Sequence, residues 1–244
     1  MKILFSPSET KTTLCVNAPL NQSSFIFPEL YTKRHEVLTR YQRFVDSASL
    51  TALSRLFGLK DLAHYEKTNL FEAQTCKAIE RYSGVAYDYL DYTSLDTSSQ
   101  EYLDNNVMIF SNLFGPLLAK DALPLYKLHQ GEAIEGFKPE GFYKEAFGNA
   151  IDDWIADKPL LDLRAHFYEK FYQPKNAYMS MKFLKGGKVV SHFAKAYRGV
   201  ILRRIAQLCP NSEEALQHIE FENLRIVEIH RKKLMQEYVY EIIE

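Results

Sequence analysis

Tyr178-Met-Ser-Met-Lys-Phe-Leu-Lys-Gly-Gly-Lys-Val-Val-Ser191, continued by His192-Phe-Ala-Lys-Ala-Tyr-Arg-Gly-Val-Ile-Leu-Arg-Arg-Ile-Ala206, sets two extended runs and a helix side by side in one stretch of chain. Gly186-Gly187 between apolar runs predicts a hairpin, because paired glycines reach the positive φ angles of a two-residue turn without steric cost. After it, Phe193, Tyr197, Val200, Ile201 and Leu208 recur at helical spacing and predict a helix whose apolar stripe faces a core. On the wheel, Ser191, Lys195 and Arg198 fall on the other side, among the small residues Gly199 and Ala206.

Outward from this stretch, strands and helices go on interleaving. Ile3-Leu4-Phe5 is a short strand emptying into the polar loop Ser6-Pro-Ser-Glu-Thr-Lys-Thr12. Pro28 opens a helix that continues through Val37, Leu38, Tyr41, Phe44 and Val45, and Ser49 or Thr51 caps a second one ending near Gly58. Leu59 to Tyr82 reads as a third helical region, and Gly84 to Leu90 as a short aromatic piece. Asn106 to Phe110 is a core strand, and Leu123 to Leu128 is extended by its proline and apolar alternation. Phe142 to Ala156 is an amphipathic helix, Leu160 to Leu163 a strand and Arg164 to Tyr172 a short helix. Asn223 to Ile229 and Tyr238 to Ile243 close the chain as strands. Without a repeat or linker, this interleaving predicts a single domain over residues 1–244, of mixed α/β (α+β) class, with a mixed sheet flanked by helices.

From Lys170 to Ser212 there is no Asp or Glu, while Lys170, Lys175, Lys182, Lys185, Lys188, Lys195, Arg198, Arg203 and Arg204 all fall inside. The chain as a whole carries a formal charge of -1, so this is a local asymmetry that predicts a basic cleft for a phosphate-bearing partner. Tyr172, Tyr178, Phe183 and Tyr197 interleave with the cations, as a nucleic-acid groove requires, although such rings equally serve a core. Arg203 and Arg204 also suit a helix terminus through the dipole alone.

The loop after the first strand lacks the glycines of a phosphate-cradling P-loop, and the histidines show no metal-ligand spacing, so neither that type of ATP site, nor a metal, nor a cofactor is expected. Cys15, Cys76 and Cys209 are odd in number and outside any CxxC spacing, which argues against a disulfide framework and for a reduced, cytoplasmic setting. No apolar run approaches membrane-spanning length. The oligomeric state stays open, a monomer being compatible with all of this.

Four pieces together resemble one family: Ser6-Pro-Ser-Glu-Thr-Lys11, Asn112-Leu-Phe-Gly115, Pro124-Leu-Tyr-Lys-Leu128 and Val190-Ser-His-Phe-Ala-Lys-Ala-Tyr-Arg-Gly199 occur in the order found in the YaaA peroxide-stress proteins. The resemblance implies a bacterial peroxide-response protein that limits iron-dependent damage, with a positively charged cleft for DNA and a helix-hairpin-helix-like element. By position, Glu9 and Lys11 match the N-terminal loop motif, Tyr126 and Lys127 a Tyr-Arg pair, and Lys195 and Arg198 a Lys-x-x-Arg-Gly motif. Lys127 keeps the charge of the usual Arg but not its planar fork. Phe167, in Asp162-Leu-Arg-Ala-His-Phe-Tyr168, stands where the family has Glu.

Two functions follow as expectations. One is DNA binding through Lys11, Lys127, Lys182, Ser191, Lys195, Arg198 and Arg203. The other is an enzyme acting on a nucleotide, nucleobase or modified DNA, with Glu9, Lys11, Tyr126 and Lys195 as its catalytic set, a Glu among cations being suited to general acid–base work. Strand alternation sends Tyr126 and Lys127 to opposite faces, so only one of them is expected at a site.

Overall fold

A computed structural model describes residues 1–62 and 65–243, apart from the side chains of Ser191 and His192. In chain order the first half comprises β1 (Lys2–Phe5), α1 (Tyr31–Ser47), α2 (Leu50–Phe57), β2 (Thr75–Lys77), α3 (Ala78–Arg81), α4 (Val85–Leu90), α5 (Thr97–Asn106), β3 (Val107–Ser111), β4 (Gly115–Leu118) and β5 (Ala122–Pro124). The second half comprises α6 (Pro139–Ile155), β6 (Leu160–Asp162), β7 (Tyr178–Lys185), β8 (Lys188–Val189), α7 (Ser191–Leu208), α8 (Glu213–Gln217), β9 (Leu224–Lys232) and β10 (Met235–Ile242).

The parallel heart of the sheet runs β3-β1-β6-β7-β10, with β4, β8 and β9 added antiparallel to β3, β7 and β10. β1 lies inside it, Ile3 opposite Val107 and Lys2 opposite Leu160. Residues 3–5 and all of β3 are buried on successive positions, the pattern of strands covered on both faces. β7 instead alternates, with Met179, Met181 and Phe183 inward, which turns Ser180 and Lys182 to the other face. The expected single mixed α/β domain is thus observed.

Local signals hold at many points. Ser49 caps α2 by accepting from the Ala52 N–H at 3.3 Å, and Gly58 ends it at φ 65°, the left-handed turn that glycine allows. α1 buries Val37, Leu38, Tyr41 and Val45 on one stripe, together with Arg34. Among the described residues that guanidinium has no carboxylate partner: it donates to the Phe114 and Pro116 carbonyls and stacks on Phe25 and Phe147 at 4.6 and 5.1 Å. A buried cation is tolerable when its donors are met in this way.

Three expectations are corrected. Residues 59–82 are not a helical region. Their described part holds only a 3-10 turn at Tyr65–Lys67, then β2 and the single turn α3. The Asn69 side chain accepts from the Phe71 N–H at 3.0 Å, a local turn that competes with helix; β2 pairs with β5 and Asn17 bridges Thr75. The apolar stripe of α7 is also different: Phe193 and Leu208 are 41% and 47% exposed, and Ala194, Ile201, Leu202, Ile205 and Ala206 are buried. The small residues belong to that buried face because α4 crosses there. A Cβ on Gly199 would lie 2.0 Å from the Ala86 carbonyl oxygen, so the glycine is what lets the helices touch. Finally, Cys15 and Cys76 form a disulfide, their Cα atoms 5.2 Å apart. Sequence spacing could not show this, since residues 15–17 lie beside 75–77 only through the Asn17–Thr75 bridge.

Candidate functional site

The loop leaving β1 is clamped along its length. Ser6 Oγ accepts from the Ala165 N–H at 2.7 Å and its carbonyl accepts from the Tyr87 hydroxyl at 2.9 Å. Thr10 Oγ1 donates to the Ser83 carbonyl, 2.7 Å. Lys11 makes a β-bridge to Tyr82, and the Arg81 guanidinium, itself buried, donates to the Thr12, Gln74 and Leu123 carbonyls. These contacts anchor the loop at both ends and in the middle, which restricts where its side chains can point.

It presents Glu9 and Lys11 to the segment that follows β5. Glu9 Oε2 takes a hydrogen bond of 2.6 Å from Lys127 Nζ, and Oε1 one of 2.8 Å from the Gln130 N–H. Lys127 Nζ also donates to the Glu9 carbonyl, 3.0 Å, and His129 Nδ1 stands 3.7 Å from Oε1. Burial alone raises the Glu9 carboxyl, but the hydrogen bond and charge of Lys127, with the Gln130 N–H, outweigh it and hold it below the usual range. It is a carboxylate at neutral pH.

Lys11 Nζ lies 4.3 Å from the Tyr126 ring centroid and 5.2 Å from that of Tyr82, and donates to the Ser8 carbonyl at 3.2 Å. Burial, then the Lys127 charge, push it down to about 7, with Glu9 opposing and Arg81 adding. Beneath, the Tyr126 hydroxyl joins Tyr82 Oη at 2.8 Å and Ser111 Oγ at 2.7 Å. Burial pushes Tyr82 up to about 12 and Tyr126 well above its ordinary value, so these phenols stay neutral.

Tyr126 and Lys127 therefore both reach the cluster, against the expectation that one must face away. β5 ends at Pro124, and beyond it the chain no longer alternates as a strand. Gly115, at φ 69°, closes the preceding turn with the Tyr143 ring so near that a Cβ would sit 2.3 Å from it. Asn112-Leu-Phe-Gly115 is thus a packing motif, while Ser111 just before it is in the polar chain.

Lys182, Lys195 and Arg198 are not in this cluster. They line a neighbouring cleft of about 740 Å³ with Asp162, Arg164, His166, Glu169, Ser180, Lys232, Lys233 and Glu237. The Arg164 fork is spent on Asp162, at 2.9 and 2.7 Å, and on the Tyr168 and Tyr172 carbonyls. Burial lowers Arg198, and the Asp162 charge opposes this. Ser180 Oγ is buried there without a hydrogen-bond partner among the described residues. The segment 162–165 borders both places, since Ala165 holds Ser6 and also lines the cleft. Arg203 lies elsewhere, capping α4 by donating to the Leu90 and Asp91 carbonyls at 2.9 Å each. The Ser191 side chain falls outside the described residues. Phe167 packs edge-on against Tyr168, centroids 5.3 Å apart, with Lys170 Nζ 4.7 Å from its ring centroid, so the position brings no carboxylate.

Sequence reading missed Tyr82, Ser111, His129, Lys232 and Lys233. The run Arg231-Lys-Lys233 was visible as a basic triplet, but it lies outside the carboxylate-free segment; nothing local marked Tyr82.

Among proteins of known sequence, the family described as peroxide stress protein YaaA matches residues 1–230. An uncharacterized protein of Campylobacter jejuni is 48% identical over the full length of both chains. A UPF0246 protein of Corynebacterium efficiens is 35% identical over 84% of this chain and 85% of its own, and one of Aliivibrio fischeri 26% identical over 93% of each. Among the described residues, no helix is long and apolar enough to cross a membrane.

Proposed function

Because the chain belongs to the family of peroxide stress protein YaaA, we propose that it acts in the cytoplasm to limit iron-dependent DNA damage, binding DNA along the cleft beneath α7. The observation that carries this reading is the cleft's charge: Lys182, Lys195, Arg198, Lys232 and Lys233 border it against the carboxylates Glu169 and Glu237, and the Arg164–Asp162 pair is internally neutral, which leaves an excess of cations. Cations on such a wall neutralise phosphates and release counterions. A helix-hairpin-helix-like element would add contacts to the backbone that are blind to sequence. Fluorescence anisotropy with labelled duplex, bubble and single-stranded DNA at two salt concentrations tests it. Affinity should fall steeply with salt, and Lys195→Ala with Arg198→Ala should weaken all sequences alike. No binding at low salt to any of the three refutes it.

A second reading, an enzyme on a nucleotide or on modified DNA, is favoured by a separate observation, the Glu9–Lys127–Lys11–Tyr126 cluster. Structural ion pairs are common, but a half-buried amine over two tyrosines with its nearest carboxylate engaged elsewhere is a chemical arrangement.

A further inference from the structure

Lys11 and Lys127 sit side by side and are treated differently. Lys127 Nζ takes the carboxylate, at 2.6 Å from Glu9 Oε2, and the other carboxylate oxygen is held by the Gln130 N–H. Among the described residues Lys11 Nζ is left with one hydrogen bond, to the Ser8 carbonyl, above the faces of Tyr82 and Tyr126. Ring faces attract an ammonium, but they do not replace the hydrogen bonds it gives up in leaving water. Burial first, then the Lys127 charge and, more weakly, that of Arg81, push the group down to about 7 against the opposing charge of Glu9, so much of it is free amine at neutral pH. The residue is half-buried, and the paired side chains of Glu9 and His129 are 36% and 49% exposed. An amine that is both unprotonated and reachable is a nucleophile.

We propose that Lys11 condenses with an aldehyde to form an imine, the aldehyde being either the open deoxyribose of an abasic site in DNA or a small free carbonyl compound. In the step, the Lys11 nitrogen attacks the carbonyl carbon and a C–N bond forms. The two amine hydrogens depart with the carbonyl oxygen as water, leaving a C=N bond, so no oxidant, reductant or further reactant is needed. The hydrogen-bonded Glu9–Lys127 pair, near enough for both charges to act on Lys11, relays the proton to the departing oxygen. This rests on the second reading of the site and is independent of the first.

Reductive trapping tests it on the full chain. The protein is incubated at pH 7 with sodium cyanoborohydride and, in separate arms, a duplex carrying one abasic site, the intact duplex, and glycolaldehyde, then digested and mapped by mass spectrometry. The expected result is an adduct at Lys11 at least ten-fold above that at the exposed Lys144, absent with the intact duplex and lost in Lys11→Arg. Trapping with abasic DNA alone assigns the DNA aldehyde; trapping with glycolaldehyde alone assigns a free one. Adducts spread evenly over surface lysines, or none at Lys11 in either aldehyde arm, overturn the proposal. Should Lys11→Arg not fold, the peptide map of the unsubstituted protein decides by itself. Anisotropy with the intact duplex reports DNA binding separately: binding without a Lys11 adduct refutes the imine alone, and an adduct with glycolaldehyde without binding supports the imine while removing the DNA reading.

Discussion

Lys127→Met isolates the contact on which the candidate site is built. Methionine keeps the unbranched stem inside the fold, and the Lys127 carbonyl still accepts from the Tyr41 hydroxyl at 2.8 Å. What disappears is the pair of bonds from Nζ to Glu9, at 2.6 and 3.0 Å. Breaking a fully buried ion pair costs about 3–5 kcal/mol because the remaining charge is stranded. Here the Lys127 side chain is 8% exposed but that of Glu9 is 36% exposed, so water reaches the freed carboxylate, and the Gln130 N–H stays on it. The expected loss is therefore smaller, about 2–3 kcal/mol, or about 5–10 °C in Tm for a chain of this size. Urea unfolding with an unchanged slope measures it. The sign with pH is fixed: Glu9 is held below its unfolded value, so its contribution is present above about pH 4.3 and is lost as pH falls through the folded value. The gap between Lys127→Met and the parent should narrow over that range. A loss under about 0.5 kcal/mol, or a double-mutant cycle with Glu9→Gln whose coupling is below about 0.5 kcal/mol, refutes the reasoning.

Lys11 is lowered to about 7 against an unfolded value of about 10.4, so the unfolded chain binds more protons between those limits and stability should rise with pH across them. Lys11→Met should flatten that slope in Tm-versus-pH curves. Gly199→Ala places a methyl group 2.0 Å from the Ala86 carbonyl oxygen and should cost about 1–3 kcal/mol in urea unfolding, despite the helix-propensity gain; a neutral result contradicts the close approach of α4 and α7. Thiol titration of air-oxidised, unfolded protein should find one reactive group, Cys209, and three after reduction.

Much of the fold is legible in local pattern because each signal needs only neighbouring residues. Ser49 and Gly58 mark α2 by cap chemistry, Gly186-Gly187 marks the β7–β8 turn, and the Ile3-Leu4-Phe5 run marks an inner strand. The errors arise where tertiary contacts outweigh pattern. Residues 59–82 have helix-compatible composition, but their backbone is drawn into bridges with Asn17 and Lys11 and into β2 pairing with β5. Periodicity predicts one apolar stripe on α7, yet a helix packed against both the sheet and α4 buries small residues that a single stripe leaves outside.

The residues of the site were likewise visible in the chain, though not their grouping. Sequence by itself determined that a strand delivers Glu9 and Lys11 into a polar loop, that Lys182, Lys195 and Arg198 lie in a segment free of carboxylates, and that helices and strands interleave in one domain. Only the tertiary structure decided that Glu9 pairs with Lys127, 118 positions away, that Tyr126 carries Lys11, that Cys15 meets Cys76, and that Lys195 and Arg198 face a different cleft. The physical reason is that periodicity and capping depend on residues within a turn or two of one another, whereas these contacts depend on strand order and on where a loop is clamped, which are properties of the whole packed chain.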